Sequence, residues 1–346
     1  MSTAPRSLPI PEWPRDDREA WEEACRPARR FTPGGAASRL ALESRTDYAN
    51  RYGAFLGFLQ RAGRLRQNDR AGQQINSDNV EAYLADLQAR VTIVTVYNAI
   101  SKLRRVGQIV APSIDLKWLY EIEADLRLIA TPRSKFDRLV MTDRLAEAGL
   151  TLIVESKTFA RSRLRRAKGI RNGLMIAMLA LCPIRLKNFA SLAIGVTFRE
   201  IEGSWWIVLP AADTKSRRAD ERRLPDFLKP YVDLYVSDAR VVLLDPDTPT
   251  NALWLSTVGA PMTKKSIGGL VSHITLETLG VDVSPHLFRT AAASTAATYG
   301  SATPHLASAL LNHTDPRITE EHYNRATSMS AAETYADLIG QYTASD

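Results

Sequence analysis

Hydrophobic side chains recur at helical spacing in the first third of the chain. Four such stripes are separated by polar or glycine-containing segments, and each would form the buried face of a short helix. The stripes are Tyr48, Tyr52, Phe55 and Leu59; Val80, Tyr83, Leu84 and Leu87; Val94, Tyr97, Ile100 and Leu103; and Leu116, Leu119, Ile122 and Leu126. Ser77 or Asp78 would cap the second helix. The pattern predicts a small helical bundle over residues 37–130.

The segments on either side of this bundle lack a hydrophobic period. Residues 1–36 are rich in proline and charge and end in "TPGGAAS", which predicts an N-terminal arm or loose lead-in. Residues 131–138 combine Pro132 with several charged residues and predict a linker between two domains.

The remaining residues, 139–346, predict a second domain that is mostly helical. Helical periodicity resumes near Thr142 and again after Met262. Between these regions, "WWIVL" at 205–209 alternates in the manner of a strand, and Arg222–Leu224 would begin the return strand of a hairpin. The predicted fold class is therefore mainly α with a small antiparallel β-sheet.

The positive charge of the chain is concentrated in one block. The 346 residues carry a net charge of +7. Residues 151–230 contain sixteen Lys and Arg against seven Asp and Glu, which leaves +9 in this block and −2 elsewhere. Such a block favours a surface for a polyanion, with a solvated helix face as the alternative. The candidate contacts are Arg161, Arg163, Arg165, Arg166, Lys168, Arg171, Arg217 and Arg218.

Several other classes of protein are disfavoured. No apolar run reaches about 18 residues, so a membrane span is not expected. The N-terminus lacks the basic head and apolar block of a secretory signal. Cys25 and Cys182 are far apart, and His273, His305 and His322 match no common metal site. A reduced cytoplasmic protein without a metal is predicted.

The candidate chemistry lies in the second domain. "HLFR" places His286 and Arg289 three residues apart, on one face of a helix. "LLNHTDPRITEEHYNRA" adds His313 and Tyr323. Arg185 follows an apolar helix and needs a carboxylate, a cap or a bound anion. The predicted hairpin tip carries Lys215.

These groups suit attack on a phosphodiester without a metal. Arginines can hold the nonbridging oxygens, on which negative charge concentrates. A phenol has an unperturbed pKa of about 10 and needs nearby cations or a base to act as a nucleophile. A lysine on a mobile hairpin can protonate the leaving oxygen.

The chain resembles the tyrosine recombinases of the phage integrase family over about residues 38–340. The match rests on six residues in the family's order, namely Arg185, Lys215, His286, Arg289, His313 and Tyr323. It departs from the family's common pattern where "CPI" precedes Arg185 and where Asn312 precedes His313. The interval from His313 to Tyr323 is also one residue longer than in many members.

The resemblance implies a core-binding domain at 37–130, a catalytic domain at 139–346 and a C-terminal tail helix. It implies a nucleoid-associated recombinase or integrase that acts on double-stranded DNA through a 3′-phosphotyrosyl intermediate, without a cofactor. It also implies that the chain is a monomer in free solution and forms a homotetramer on DNA. Accessory DNA-bending proteins are further implied partners. The alternatives are a type IB topoisomerase-like enzyme and a DNA-binding regulator that has lost catalysis.

Overall fold

The protein divides into two compact units, Met1–Ser134 and Lys135–Asp346, which are described separately. The structure, a computed structural model, describes residues 6–131, 136–299, 310 and 311. The predictions for His313, Tyr323 and the tail helix lie outside these residues. None of the described helices combines the length and apolar character that crossing a membrane requires.

The first unit is a helical bundle that contains the four helices predicted from the hydrophobic stripes. The helices of this unit are α1 (Arg15–Cys25), α2 (Leu42–Arg61), α3 (Ser77–Gln88), α4 (Ile93–Val110) and α5 (Lys117–Ile129). Residues from the predicted stripes, such as Tyr52, Ile100 and Leu119, are fully buried in one core. The cap of α3 is Asn76, whose side chain accepts from the backbone N–H of Asn79 at 3.0 Å. The prediction of Ser77 or Asp78 at this position was wrong.

The loose lead-in predicted for residues 1–36 is also wrong for the described residues 6–36. Helix α1 lies in this stretch, and Trp13 and Trp21 are buried in the core of the first unit. The Trp13 ring meets the Tyr52 ring edge-on, with 5.0 Å between centroids. Two tryptophans bury enough apolar surface to fix a segment whose remaining composition is polar.

Asp17 on α1 is a fully buried carboxyl group in this core. One oxygen accepts from the Tyr52 hydroxyl at 2.8 Å and from the Gly72 N–H at 2.7 Å. The other oxygen has no hydrogen-bond partner among the described residues. Burial raises the pKa of Asp17, although both hydrogen bonds oppose the shift. The raised pKa favours the protonated form of Asp17 in the folded state. The contribution of Asp17 to the free energy of unfolding is therefore full below the unfolded pKa of about 3.9, and it declines as pH rises through the folded pKa.

Replacing Asp17 with asparagine should therefore remove this decline, because the amide stays neutral and keeps an acceptor for Tyr52 and Gly72. Relative to wild type, the variant should become more stable as pH rises toward neutral, because it removes the cost of ionising a buried carboxyl group. Thermal unfolding followed across the pH range measures the effect. Asp16→Asn, at the exposed neighbouring position, is the matched control. Parallel pH profiles for wild type and Asp17→Asn would contradict the assignment.

The second unit is mostly helical around one small sheet, as predicted. The helices are α6 (Thr142–Phe159), α7 (Arg163–Leu181), α8 (Leu186–Ala190), α9 (Lys229–Leu234), α10 (Arg240–Leu243), α11 (Lys264–Leu279) and α12 (Pro285–Tyr299). Helices α6 and α7 approach each other closely at Gly149 and Gly173. A Cβ on Gly149 would lie 2.7 Å from the Gly173 carbonyl oxygen, so the packing requires glycine there.

The sheet has three antiparallel strands in the order β1 (Phe198–Ile201), β2 (Ser204–Leu209) and β3 (Asp220–Arg223). Strand β2 and the return strand β3 confirm the predicted hairpin. Strand β1 was missed, because three of its four residues are exposed and show no apolar alternation. Trp205 belongs to the sheet core and stacks on Phe198, with 4.8 Å between ring centroids.

Candidate active site

Arg289 on α12 is a buried arginine that joins three parts of the second unit. One terminal nitrogen, Nη1, donates to the Pro183 carbonyl, in the loop that follows α7. The other, Nη2, donates to the Leu311 carbonyl at 2.7 Å. The exposed fraction of Arg289 is only 8%. Burial, together with the positive charges of Arg185 and Arg222, lowers the pKa of Arg289 to about 10.

Arg185 lies at the N-cap position of α8, two residues after Pro183. It is half-buried, and its guanidinium makes no hydrogen bond or ion pair with another residue that the structure describes. The Arg185 carbonyl accepts from the Phe189 N–H at 2.9 Å, which fixes the backbone at this corner. Of the three partners expected for this arginine, neither a carboxylate nor a capping contact is found among the described residues, and a bound anion is the third.

Sequence reasoning missed two members of this site, Asp220 and Arg222 on β3. The register places them opposite the buried β2 residues Leu209 and Ile207. Arg222 forms a bidentate ion pair with Asp220, from Nε to Oδ1 at 2.7 Å and from Nη2 to Oδ2 at 2.8 Å. The signal was present in "ADERR", where all four strand residues are charged although two of them stand opposite buried apolar residues. It could be interpreted only once the register of the hairpin was known.

The charges of this cluster do not balance. Three positive charges come from Arg185, Arg222 and Arg289. The first two lower the pKa of Arg289, and the negative charge of Asp220 raises it. Among the described residues, one carboxylate against three guanidiniums leaves two positive charges in a largely buried region. Because arginine remains protonated in proteins, this excess cannot be removed by titration. A doubly charged or singly charged anion is the ligand that the cluster can stabilise.

Lys215 lies on a turn that Thr214 organises. The Thr214 hydroxyl is buried, donates to the Arg218 carbonyl at 2.7 Å and accepts from the Arg218 N–H at 3.1 Å. This closes a loop in which Arg217 adopts a left-handed conformation, with φ 54°. The Lys215 side chain is exposed on the loop. The structure therefore places the lysine on the hairpin tip, as predicted, and shows no contact between its ammonium and the described arginines.

His286 lies in the first turn of α12, three residues before Arg289, and is exposed, whereas Arg289 is buried. The two motif residues of "HLFR" thus share a helix but differ in burial. Among the described residues no cluster of His, Cys, Asp and Glu could hold a metal ion. His273 lies next to Glu277, with 3.2 Å between imidazole and carboxylate.

The basic block of α7 contains both exposed and buried arginines. Arg161, Arg163, Arg165 and Lys168 are exposed, and so are Arg217 and Arg218 at the hairpin tip. Arg166 pairs with Asp238 at 3.1 Å. The first turns of α7 carry several positive charges and no acidic residue, at the end where the helix dipole is also positive. This arrangement is unfavourable in isolation and would be stabilised by an anionic partner.

Arg171 does not belong to this surface, and its prediction as a contact is corrected. Its exposed fraction is 3%. Nη1 donates to the Leu255 carbonyl at 2.7 Å, and Nη2 donates to the Asn172 side chain at 2.8 Å. The helical period turns this position toward the core while the preceding arginines face solvent. Arg171 therefore ties α7 to the segment around Leu255.

No protein-family model matches the sequence, and a comparison with curated proteins finds no match either. Solved structures do match. The XerH site-specific recombinase bound to difH substrate in a pre-cleavage complex is 15% identical, with a TM-score of 0.57, over 86% of this chain and 81% of that chain. XerH bound to palindromic difH substrate in a post-cleavage complex is 12% identical, with a TM-score of 0.50, over 95% of this chain and 99% of that chain.

These matches define the fold. The chain has the fold of the tyrosine recombinases, which confirms the fold that the sequence resemblance implied. Within this fold, the structure brings Arg185 and Arg289 into one electrostatic cluster. The remaining motif residues lie on an exposed loop, on an exposed helical turn or outside the described residues.

Proposed function

We propose that this protein is a site-specific DNA recombinase or integrase that cleaves and rejoins DNA strands through a 3′-phosphotyrosyl intermediate. The observation that carries the proposal is the buried excess of guanidinium charge around Arg185 and Arg289, in a chain with the tyrosine-recombinase fold. A scissile phosphodiester is an anion that this excess of positive charge can bind. The matched structures of XerH contain its difH substrate, which supports DNA as the ligand proposed for this chain.

The proposed reaction assigns one role to each residue. Arg185 and Arg289 hold the nonbridging oxygens, where negative charge increases in the transition state. The Tyr323 oxygen attacks phosphorus and loses its proton, while His286 and His313 assist by hydrogen bonding and proton transfer. The bond from phosphorus to the 5′ oxygen breaks, and Lys215 protonates that oxygen. A 5′ hydroxyl of a second strand then reverses these steps, so that bond energy is conserved and no nucleotide cofactor is consumed.

The proposed assembly is a homotetramer on two duplexes, formed from monomers that are separate in solution. Exchange between two duplexes requires four strand cleavages and hence four nucleophiles. Residues 329–346 are proposed to dock on a neighbouring copy once DNA is bound. Accessory DNA-bending proteins are further proposed partners.

Covalent trapping tests the function. The full-length protein is incubated with sheared genomic DNA from its source, denatured, and recovered with any DNA that remains attached. Sequencing of the attached strands should give a recurrent site with the protein at a 3′ end. A topoisomerase-like enzyme would form the adduct but rejoin only the original strand when two sites are supplied. A catalytically inactive regulator would bind DNA without any adduct, which would refute the proposal.

The exposed arginines Arg161, Arg163 and Arg165 are proposed to contact DNA phosphates. Replacing all three with glutamine should flatten the slope of log affinity against log salt concentration by about 0.9 for each lost contact. Affinity for a duplex of mixed sequence, measured over a series of salt concentrations, gives the slope. The control replaces Arg15, Arg26 and Arg90, which already pair with Glu19, Glu23 and Asp86. An unchanged slope in the first variant would assign this stretch to a solvated helix face.

A further inference from the structure

The ion pair between Arg222 and Asp220 has no evident structural reason. Both side chains are largely buried, with exposed fractions of 11% and 15%. They extend from the face of β3 whose partners on β2, Ile207 and Leu209, belong to the apolar core. A buried ion pair adds little stability compared with apolar residues of similar volume, because both charges lose their hydration. Such a pair is better explained by a ligand than by the fold.

The geometry of the pair leaves one side of the Arg222 guanidinium unused. Asp220 binds Nε and Nη2, and this bidentate contact fixes the plane of the group. The remaining nitrogen, Nη1, is buried and has no hydrogen-bond partner in the part of the chain that the structure describes. A buried guanidinium nitrogen without an acceptor costs free energy, unless a bound group accepts its hydrogen bond.

Arg222 also lies within electrostatic reach of the other arginines. Its charge lowers the pKa of Arg289, and it lowers the pKa of the buried Cys182 thiol against the larger effect of burial. Cys182 directly precedes Pro183, whose carbonyl accepts from Arg289. Strand β3, the loop after α7 and helix α12 therefore meet around one set of positive charges.

We propose that Arg222 is a third phosphate-binding arginine of the active site, and that Asp220 is the positioning residue that holds it. This inference rests on the proposed function. Tyrosine attack converts a phosphodiester with one negative charge into a phosphorane-like transition state with two. Three guanidiniums and one carboxylate provide two positive charges, which match the transition state better than the ground state. Nη1 of Arg222 donates to a nonbridging oxygen of the scissile phosphate.

The experiment compares cleavage by the full-length protein on a duplex that contains the sequence recovered by covalent trapping. Arg222→Gln should lose about two to three powers of ten in cleavage rate, as expected for one preorganised donor. Its affinity for the duplex should change little. Arg223→Gln is the matched control, because Arg223 lies next on the same strand, is exposed and pairs with Asp226 at 2.6 Å. This control should cleave at the wild-type rate.

A second substrate separates phosphate binding from a structural role. A methylphosphonate at the scissile position removes the charge of one nonbridging oxygen, so wild type and Arg222→Gln should cleave it at similar rates. An equal loss on both substrates would overturn the proposal in favour of a structural role. Wild-type rates for Arg222→Gln on the phosphodiester would overturn it directly.

A double variant covers the case in which Arg222→Gln fails to fold. Asp220→Asn with Arg222→Gln removes both charges and leaves no unpaired carboxylate. This variant should fold, as judged by its thermal unfolding midpoint, and should remain slow on the phosphodiester. Recovery of the wild-type rate would overturn the proposal while leaving the proposed function intact. Absence of any adduct with the wild-type protein would instead refute the proposed function, and this inference with it.

Discussion

Replacing Tyr323 with phenylalanine should abolish covalent attachment of the protein to DNA while leaving DNA affinity close to wild type. The substitution removes only the attacking oxygen and keeps the aromatic ring. Without the phenolic oxygen no bond between the protein and phosphorus can form at this position, so no adduct should accumulate. The measurement is recovery of DNA with the denatured protein, alongside a binding assay on the same duplex.

Tyr335→Phe and Tyr342→Phe are the matched controls for this result. Both residues follow Tyr323 in the sequence, and neither follows a turn that contains a histidine. Each control should form the adduct at the wild-type level. An adduct in the Tyr323→Phe protein, together with its loss in one of the controls, would reassign the nucleophile to that tyrosine.

Replacing Arg185 with lysine should slow cleavage by about two to three powers of ten, the usual cost of removing one preorganised donor. Lysine keeps the charge but cannot form the bidentate contact with two phosphate oxygens. Because Arg185 makes no hydrogen bond or ion pair with another described residue, the variant should keep the wild-type unfolding temperature. Single-turnover cleavage of the recovered duplex measures the rate.

Arg199→Lys is the control for this substitution. Arg199 is an exposed residue of β1 that donates to the Val196 carbonyl at 2.6 Å. It lies outside the arginine cluster, so its replacement should leave the cleavage rate unchanged. Near-normal cleavage by Arg185→Lys would mean that this arginine has a structural role rather than a role at the phosphate.

Local patterns predicted most of the secondary structure but failed where they were weak. The apolar stripes of α2 to α5 gave the four helices because burial on one face repeats with the helical period. Helix α1 was missed because its few large apolar residues, such as Trp21, stand among many charged ones. Strand β1 was missed because its hydrogen bonds to β2 hold it in place while most of its side chains face solvent.

The sequence by itself determined the helical bundle and the hairpin, because these depend on local periodicity. The six residues of the motif rest on the resemblance and stay a prediction. Only the tertiary structure decided which charged groups share one site. Arg171 and Arg165 look equivalent in the basic block, yet one is buried against Leu255 and the other is exposed. Arg222 joined Arg289 because strand register and long-range packing, which no local pattern encodes, bring distant charges together.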